Sequence, residues 1–126
     1  MSTENIGNVR SKEAGEAMTD KQHYIVQLTA AGLIEVAESA TDLIVGVLQN
    51  TPAAGEQATY AFSGVAKVKA GGAVGVGAWV TSDTAGKAVA TTTNRDVIIG
   101  RHVGTAAGAD GDLIEVQLGI GTLSVA

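Results

Sequence analysis

Apolar residues in this chain recur at every second position, in short runs separated by glycine-rich turns, and this rhythm limits the possible fold more than any other feature. Side chains alternate across a strand with period two, whereas a helix requires a stripe of period 3.6. Tyr24, Val26 and Leu28 alternate with His23, Ile25 and Gln27. After the turn at Ala31-Gly32, Ile34 and Val36 alternate with Leu33 and Glu35. The run Leu43-Ile-Val-Gly-Val-Leu48 is apolar on both faces, as a central strand requires. Asn50-Thr-Pro-Ala-Ala-Gly55 then reads as a loop. Residues 59–69 read as one strand, with Tyr60, Phe62, Gly64, Ala66 and Val68 on one face and Thr59, Ser63, Lys67 and Lys69 on the other. Gly64 marks a bulge or a bend in it. Val74, Val76, Ala78 and Val80 form the next inward face, with Gly75, Gly77 and Trp79 opposite.

Ser82-Asp-Thr-Ala-Gly86 is a hairpin turn, followed by strands over 87–91 and 97–103. Gly108-Ala-Asp-Gly111 is a second turn, and the strand over 112–118 points Ile114, Val116 and Leu118 inward. Residues 119–126 form a short tail strand or extended end. So many short strands in 126 residues imply an all-β fold, a compact antiparallel β-barrel or β-sandwich, over residues 22–126. Residues 1–21 differ. They are polar, with Ile6, Val9 and Met18 as isolated apolar residues, and they predict an extended, flexible N-terminal arm. Ordering such a segment costs about 1–2 kcal/mol per residue. The arm is therefore expected to order only on a partner, and its removal to leave the β domain folded. Leu33-Ile-Glu-Val36 recurs as Leu113-Ile-Glu-Val116, and Asp42-Leu-Ile-Val-Gly46 as Asp96-Val-Ile-Ile-Gly100, but no constant repeat period joins the two echoes.

Composition bears on partners. Hydrophobic residues make up 45% of the chain but aromatic ones only 3%, so Ala, Val, Ile and Leu must fill the interior. A core of this kind gains from burial against neighbours and leans towards an assembly component. The net charge is −5 and the eight basic residues are scattered, which argues against a groove tracking a phosphate backbone and hence against a nucleic-acid partner. The absence of Cys removes disulfides, thiolate nucleophiles and Cys-ligated zinc. No run has the length of a membrane span, and the N-terminus lacks the basic start and apolar core of a secretory signal. The expectation is synthesis in a cytoplasm with no membrane partner.

Residues that could carry chemistry are isolated. Gly75-Val-Gly77 starts a dinucleotide fingerprint that fails at Val80; Gly119-Ile-Gly121 fails at Ser124; and Gly86-Lys87 has Thr81 where a P-loop needs Gly. His23 and His102 sit on expected strands without a second ligand at metal spacing. Asp110 and Asp112 flank Gly111 in the manner of a turn rather than a calcium loop. Lys67 and Lys69 lie within an alternating strand, unlike the hairpin lysine of biotinyl or lipoyl carrier domains. The reading is a non-enzyme with no catalytic residue, no cofactor and no metal. Trp79 is the leading candidate for a subunit contact, with a position buried by a second sheet as the alternative. Ile6 and Val9 are candidate anchors along an open sheet edge, with Arg10 and Lys12 meeting acidic groups on the partner.

The series Asp42-Leu-Ile-Val-Gly-Val47, Tyr60-Ala-Phe-Ser-Gly-Val-Ala-Lys-Val68 and Gly72-Ala-Val-Gly-Val-Gly-Ala-Trp-Val-Thr-Ser-Asp83 is followed by Val97-Ile-Ile-Gly-Arg101, the Gly104-Thr-Ala-Ala-Gly108 turn and Asp112-Leu-Ile-Glu-Val116. Over residues 32–118 this resembles the small capsid cement, or decoration, proteins of tailed bacteriophages. The resemblance implies a β-rich subunit, often a homotrimer, that binds the outer surface of an expanded head and reinforces joints between major capsid proteins. It implies synthesis in the host cytoplasm, a final place on the virion and no catalytic residues. The polar N-terminal segment is longer than that pattern. Two other readings fit a small β domain: a ligand-binding or carrier β-barrel, which needs an apolar pocket with convergent polar groups, and the base of a head fibre or adhesin.

Overall fold

The chain alternates between two antiparallel sheets, seen in a computed structural model that describes residues 5–106 and 108–124. The first four residues of the expected arm, residue 107 in the expected turn and residues 125–126 of the tail lie outside the described residues. The strands are β1 (Asn5–Ile6), β2 (Val9–Glu13), β3 (Ile25–Leu28), β4 (Ile34–Val36), β5 (Ile44–Leu48) and β6 (Gln57–Ala61), followed by β7 (Gly64–Lys69), β8 (Trp79–Ser82), β9 (Ala88–Ala90), β10 (Val97–His102) and β11 (Leu113–Thr122). Among the described residues there is no helix. One sheet has the order β1-β7-β11-β10-β8-β9 and the other β2-β6-β5-β3-β4. They pack face to face as a sandwich rather than closing into a barrel. The shared core places Ile25, Ile44 and Val47 of the five-stranded sheet against Val68, Val80, Ile99 and Val116 of the six-stranded one. Ala61, Ala66, Ala70 and Ala88 fill the same core, which is how so few aromatic residues suffice.

Two expected strands are corrected. Residues 59–69 are not one strand but two, β6 and β7, which belong to different sheets and meet at a corner over Phe62 and Ser63. Gly64 sits there with φ +83°, a conformation that costs a side chain-bearing residue free energy. The corner also re-sorts the faces: Ala66 and Val68 enter the shared core, whereas Tyr60 points to the opposite side of its sheet. The inward face expected over residues 74–80 is likewise interrupted. Val74 and Val80 are buried, but residues 75–78 form a turn and Val76 is 55% exposed.

The largest correction concerns residues 5–21, which are built into the fold rather than set apart from a β domain beginning at Gln22. β1 pairs with β7 and β2 with β6, so the N-terminal strands follow both sides of the corner. Gly7 N–H donates to the Ser63 carbonyl at 3.0 Å, Asn8 N–H to Ser63 Oγ at 2.7 Å, and Phe62 N–H to the Asn8 carbonyl at 3.1 Å. Beyond β2 the chain crosses the outer face of the five-stranded sheet. There Ala14 and Met18 are fully buried against Val26, Ile34, Leu48, Ala58 and Tyr60, a second core separate from the first. Backbone bonds hold this strap in place: Ala14 N–H to Glu56 O at 2.8 Å, Gly15 N–H to Ile34 O at 2.9 Å and Met18 N–H to Pro52 O at 2.8 Å. The Glu16 carboxylate accepts from Val36 N–H at 3.0 Å. A parallel bridge between Ala14 and Ile34 ties the end of β2 to β4 on the far edge, so the sheet curls around Met18. Composition misjudged this segment because one well-placed methionine fills a hole that only distant strands create.

Candidate docking surfaces

The residues with chemical potential serve the fold. His102 ends β10 and is buried, with Nδ1 3.0 Å from the Glu115 carbonyl and Nε2 2.9 Å from the Ala106 carbonyl. Gly104 N–H donates to Nδ1 at 3.2 Å. The ring thereby clamps the loop after β10. A cleft of about 480 Å³ beside it is lined by residues 104–106, Gly108 and residues 111–115.

His23 is not on a strand: it precedes β3 with φ +74°. Its N–H donates to Leu48 O at 2.8 Å and its carbonyl accepts from Lys69 N–H at 2.9 Å, linking the two sheets. Asp112 caps its turn by accepting from Ala109 N–H at 3.0 Å, and Asp110 lies 3.7 Å from Lys87 Nζ. Among the described residues no cluster of three or more His, Cys, Asp or Glu is placed to hold a metal ion.

The five expected contact residues do not form one surface. Ile6 is half-buried and packs against the shared core. Val9 and Arg10 are exposed on β2, an edge strand, and Lys12 beside them is half-buried. Trp79 lies on β8, four strands across the six-stranded sheet from β1, on the order of 19 Å at the usual strand spacing. It is 36% exposed, which removes the alternative of a core position.

Two surface features emerge around these residues. The first is the outer face of the six-stranded sheet. Strand register sets Trp79 opposite Arg101, Arg101 opposite Gln117, Gln117 opposite Val65, Glu115 opposite Lys67 and Leu113 opposite Lys69. Opposed residues share a face, so Trp79, Arg101, Gln117, Glu115, Lys67 and Lys69 form one continuous ladder. The Arg101 guanidinium stacks on Trp79 with 4.1 Å between its carbon and the ring centroid. Sequence reasoning found Trp79 but missed Arg101, because a β-bulge between Ile98 and Gly100 sets the register of β10. The second feature is a groove of about 430 Å³ lined by Arg10, Ile44, Val45, Tyr60, Phe62 and Ile120. Here the Tyr60 and Phe62 rings lie 6.5 Å apart at 52°.

Comparison with known proteins follows the same lines. A family model described as phage cement protein matches residues 12–118. No curated protein sequence matches the chain. Among solved structures, the N base of head fiber gp8.5 of bacteriophage phi29 is similar, with a TM-score of 0.63 and 17% identity over 94% of this chain and 98% of that one. At that identity the likeness is one of fold.

Proposed function

The chain belongs to the phage cement protein family, and from that premise we propose that it docks as a folded module on the outer surface of an expanded head. Its place is on the phage capsid, as a structural protein. There it bridges neighbouring major capsid proteins, acting as a homo-oligomer, with a trimer favoured, and without catalysis, cofactor or metal. The observation that carries this reading is the family match, which spans the strap, both sheets and the corner between them. The fold supports it physically. A sandwich tied at its corner presents exposed faces of fixed shape, and binding only the assembled lattice stabilises that lattice by mass action.

The test is to add purified protein to heads that lack it, measure co-sedimentation, and follow release of packaged DNA on heating. Binding with a rise in the release temperature is expected; protein that stays in the supernatant at every concentration defeats the proposal. A second reading, the base of a head fibre, is favoured by the likeness to the gp8.5 N base. Electron microscopy of decorated heads separates the two, because a fibre base carries a projection and a bridging module lies flat across subunit joints.

A further inference from the structure

Charge is unevenly distributed on this acidic molecule. The outer ladder of the six-stranded sheet holds Lys67, Lys69 and Arg101 against the single carboxylate of Glu115. The rest of the chain holds five cations against twelve carboxylates, and residues 22–66 contain no Lys or Arg at all. A positive strip on a negative protein selects for a negative partner and steers its approach.

One end of the strip is pre-arranged. With one face of its guanidinium stacked on Trp79, Arg101 keeps the in-plane N–H edges that match a carboxylate in a two-point bond. Stacking also restricts the side chain before any partner arrives, which lowers the ordering cost on binding. Trp and Arg are the residue types that most often dominate interface energetics, and here they touch. The turn just before Trp79 leaves the approach open: a side chain built at Gly75 or Gly77 would meet nothing within 4 Å.

We propose that this face meets the head, and that it recognises carboxylate-bearing side chains on the shell protein, with the Arg101–Trp79 stack at one end of the strip and Lys67 and Lys69 at the other. The proposal rests on the capsid-docking reading above and adds to it the face and the chemistry. The apolar groove beside Arg10 then lies outside the contact.

The experiment uses the full chain and heads lacking it. Wild type, the double variant Lys69→Gln with Arg101→Gln, Trp79→Ala and Arg10→Gln are compared by co-sedimentation at about 50, 150 and 500 mM salt. Thermal melts confirm that each variant is folded. The double variant and Trp79→Ala are each expected to bind at least about tenfold more weakly at the lowest salt, with a shallower salt dependence for the double variant. Arg10→Gln is expected to bind as wild type does. Wild type that fails to bind any head defeats the capsid-docking reading and this inference together. Wild type that binds, alongside a double variant of equal affinity and salt dependence, overturns the face alone. A double variant that keeps head binding but changes its mass in solution also overturns it, assigning the strip to contacts between copies. Loss of binding in Arg10→Gln, with the double variant intact, moves the contact to the groove.

Discussion

Met18 tests whether residues 5–21 belong to the folded body. Its side chain is wholly buried between the strap and the outer face of the five-stranded sheet, packed with Val26, Ile34, Leu48, Ala58 and Tyr60. Met18→Ala removes the largest side chain of the strap from that core. Such truncations cost about 2–5 kcal/mol, depending on how far the surroundings collapse into the cavity. One wall is a strand-like strap and can settle slightly, but the bonds from Gly15 to Ile34 and from Met18 to Pro52 fix it on both sides of the hole. A loss of about 3 kcal/mol is therefore expected. At about 3–4 °C per kcal/mol for a domain between the usual small and large cases, the melting temperature should fall by about 10 °C. Urea unfolding of the full chain, followed by Trp79 fluorescence and far-UV circular dichroism together, measures the free energy directly. A change below about 0.5 kcal/mol would refute the argument and return the segment to the status of an arm. Deleting residues 1–20 removes β1, β2 and the plug together, so that variant is expected to unfold or aggregate rather than leave an intact β domain.

Three further outcomes follow from particular contacts. Gly100→Ala should destabilise severely, because at φ +152° its added carbon would run into the Gln117 carbonyl of the neighbouring strand; a melting temperature within a few degrees of wild type would contradict this. His102→Ala removes the buried ring that contacts the Ala106 carbonyl and the Gly104 N–H, so a loss of about 1–3 kcal/mol is expected by denaturant titration. Trp79→Ala should alter folding stability by less than about 1 kcal/mol, since it removes a half-open surface ring and one stacking contact. In wild type, the emission of this sole tryptophan should be readily quenched by acrylamide.

Local alternation carried most of the strand positions. Residues 43–48 read as a central strand because both faces are apolar, and β5 does lie between β6 and β3. The hairpin at Ser82 and Gly86 is present, with Asp83 N–H bonded to the Lys87 carbonyl at 2.9 Å. Alternation set Trp79 opposite Val80, which is buried in the shared core, but left open whether a second sheet covers the ring. What could not be read is how strands are shared between sheets. The corner at Phe62 and Ser63 keeps the same residue types as a continuous strand, so only Gly64 betrays it. Met18 and Arg101 were missed for one reason: each acquires its role from a partner far along the chain, through a hole or a register that no local window contains. The echo between residues 33–36 and 113–116 shows the same limit, since one copy is edge strand β4 and the other lies inside β11.

Folding the N-terminal segment into the body changes what docking requires. Had residues 5–21 been mobile until they met a partner, ordering their backbone would oppose binding by roughly 17–34 kcal/mol, at about 1–2 kcal/mol per residue. Non-covalent affinities level off near −18 to −21 kcal/mol, so an interface of ordinary size would struggle to recover that cost. Strands β1 and β2, paired along the corner with β7 and β6, and the strap sealed by Met18, settle it during folding instead. The subunit can then dock as a preformed body, losing mainly rotational freedom and a few surface rotamers. A modest affinity per copy is enough under those conditions. At a free concentration one hundred times Kd, each occupied site stabilises the assembled lattice by about 2.7 kcal/mol. The contribution recurs at every site, so a tenfold loss of affinity at the Arg101–Trp79 face would lower the stability of a whole head far more than that of one subunit contact.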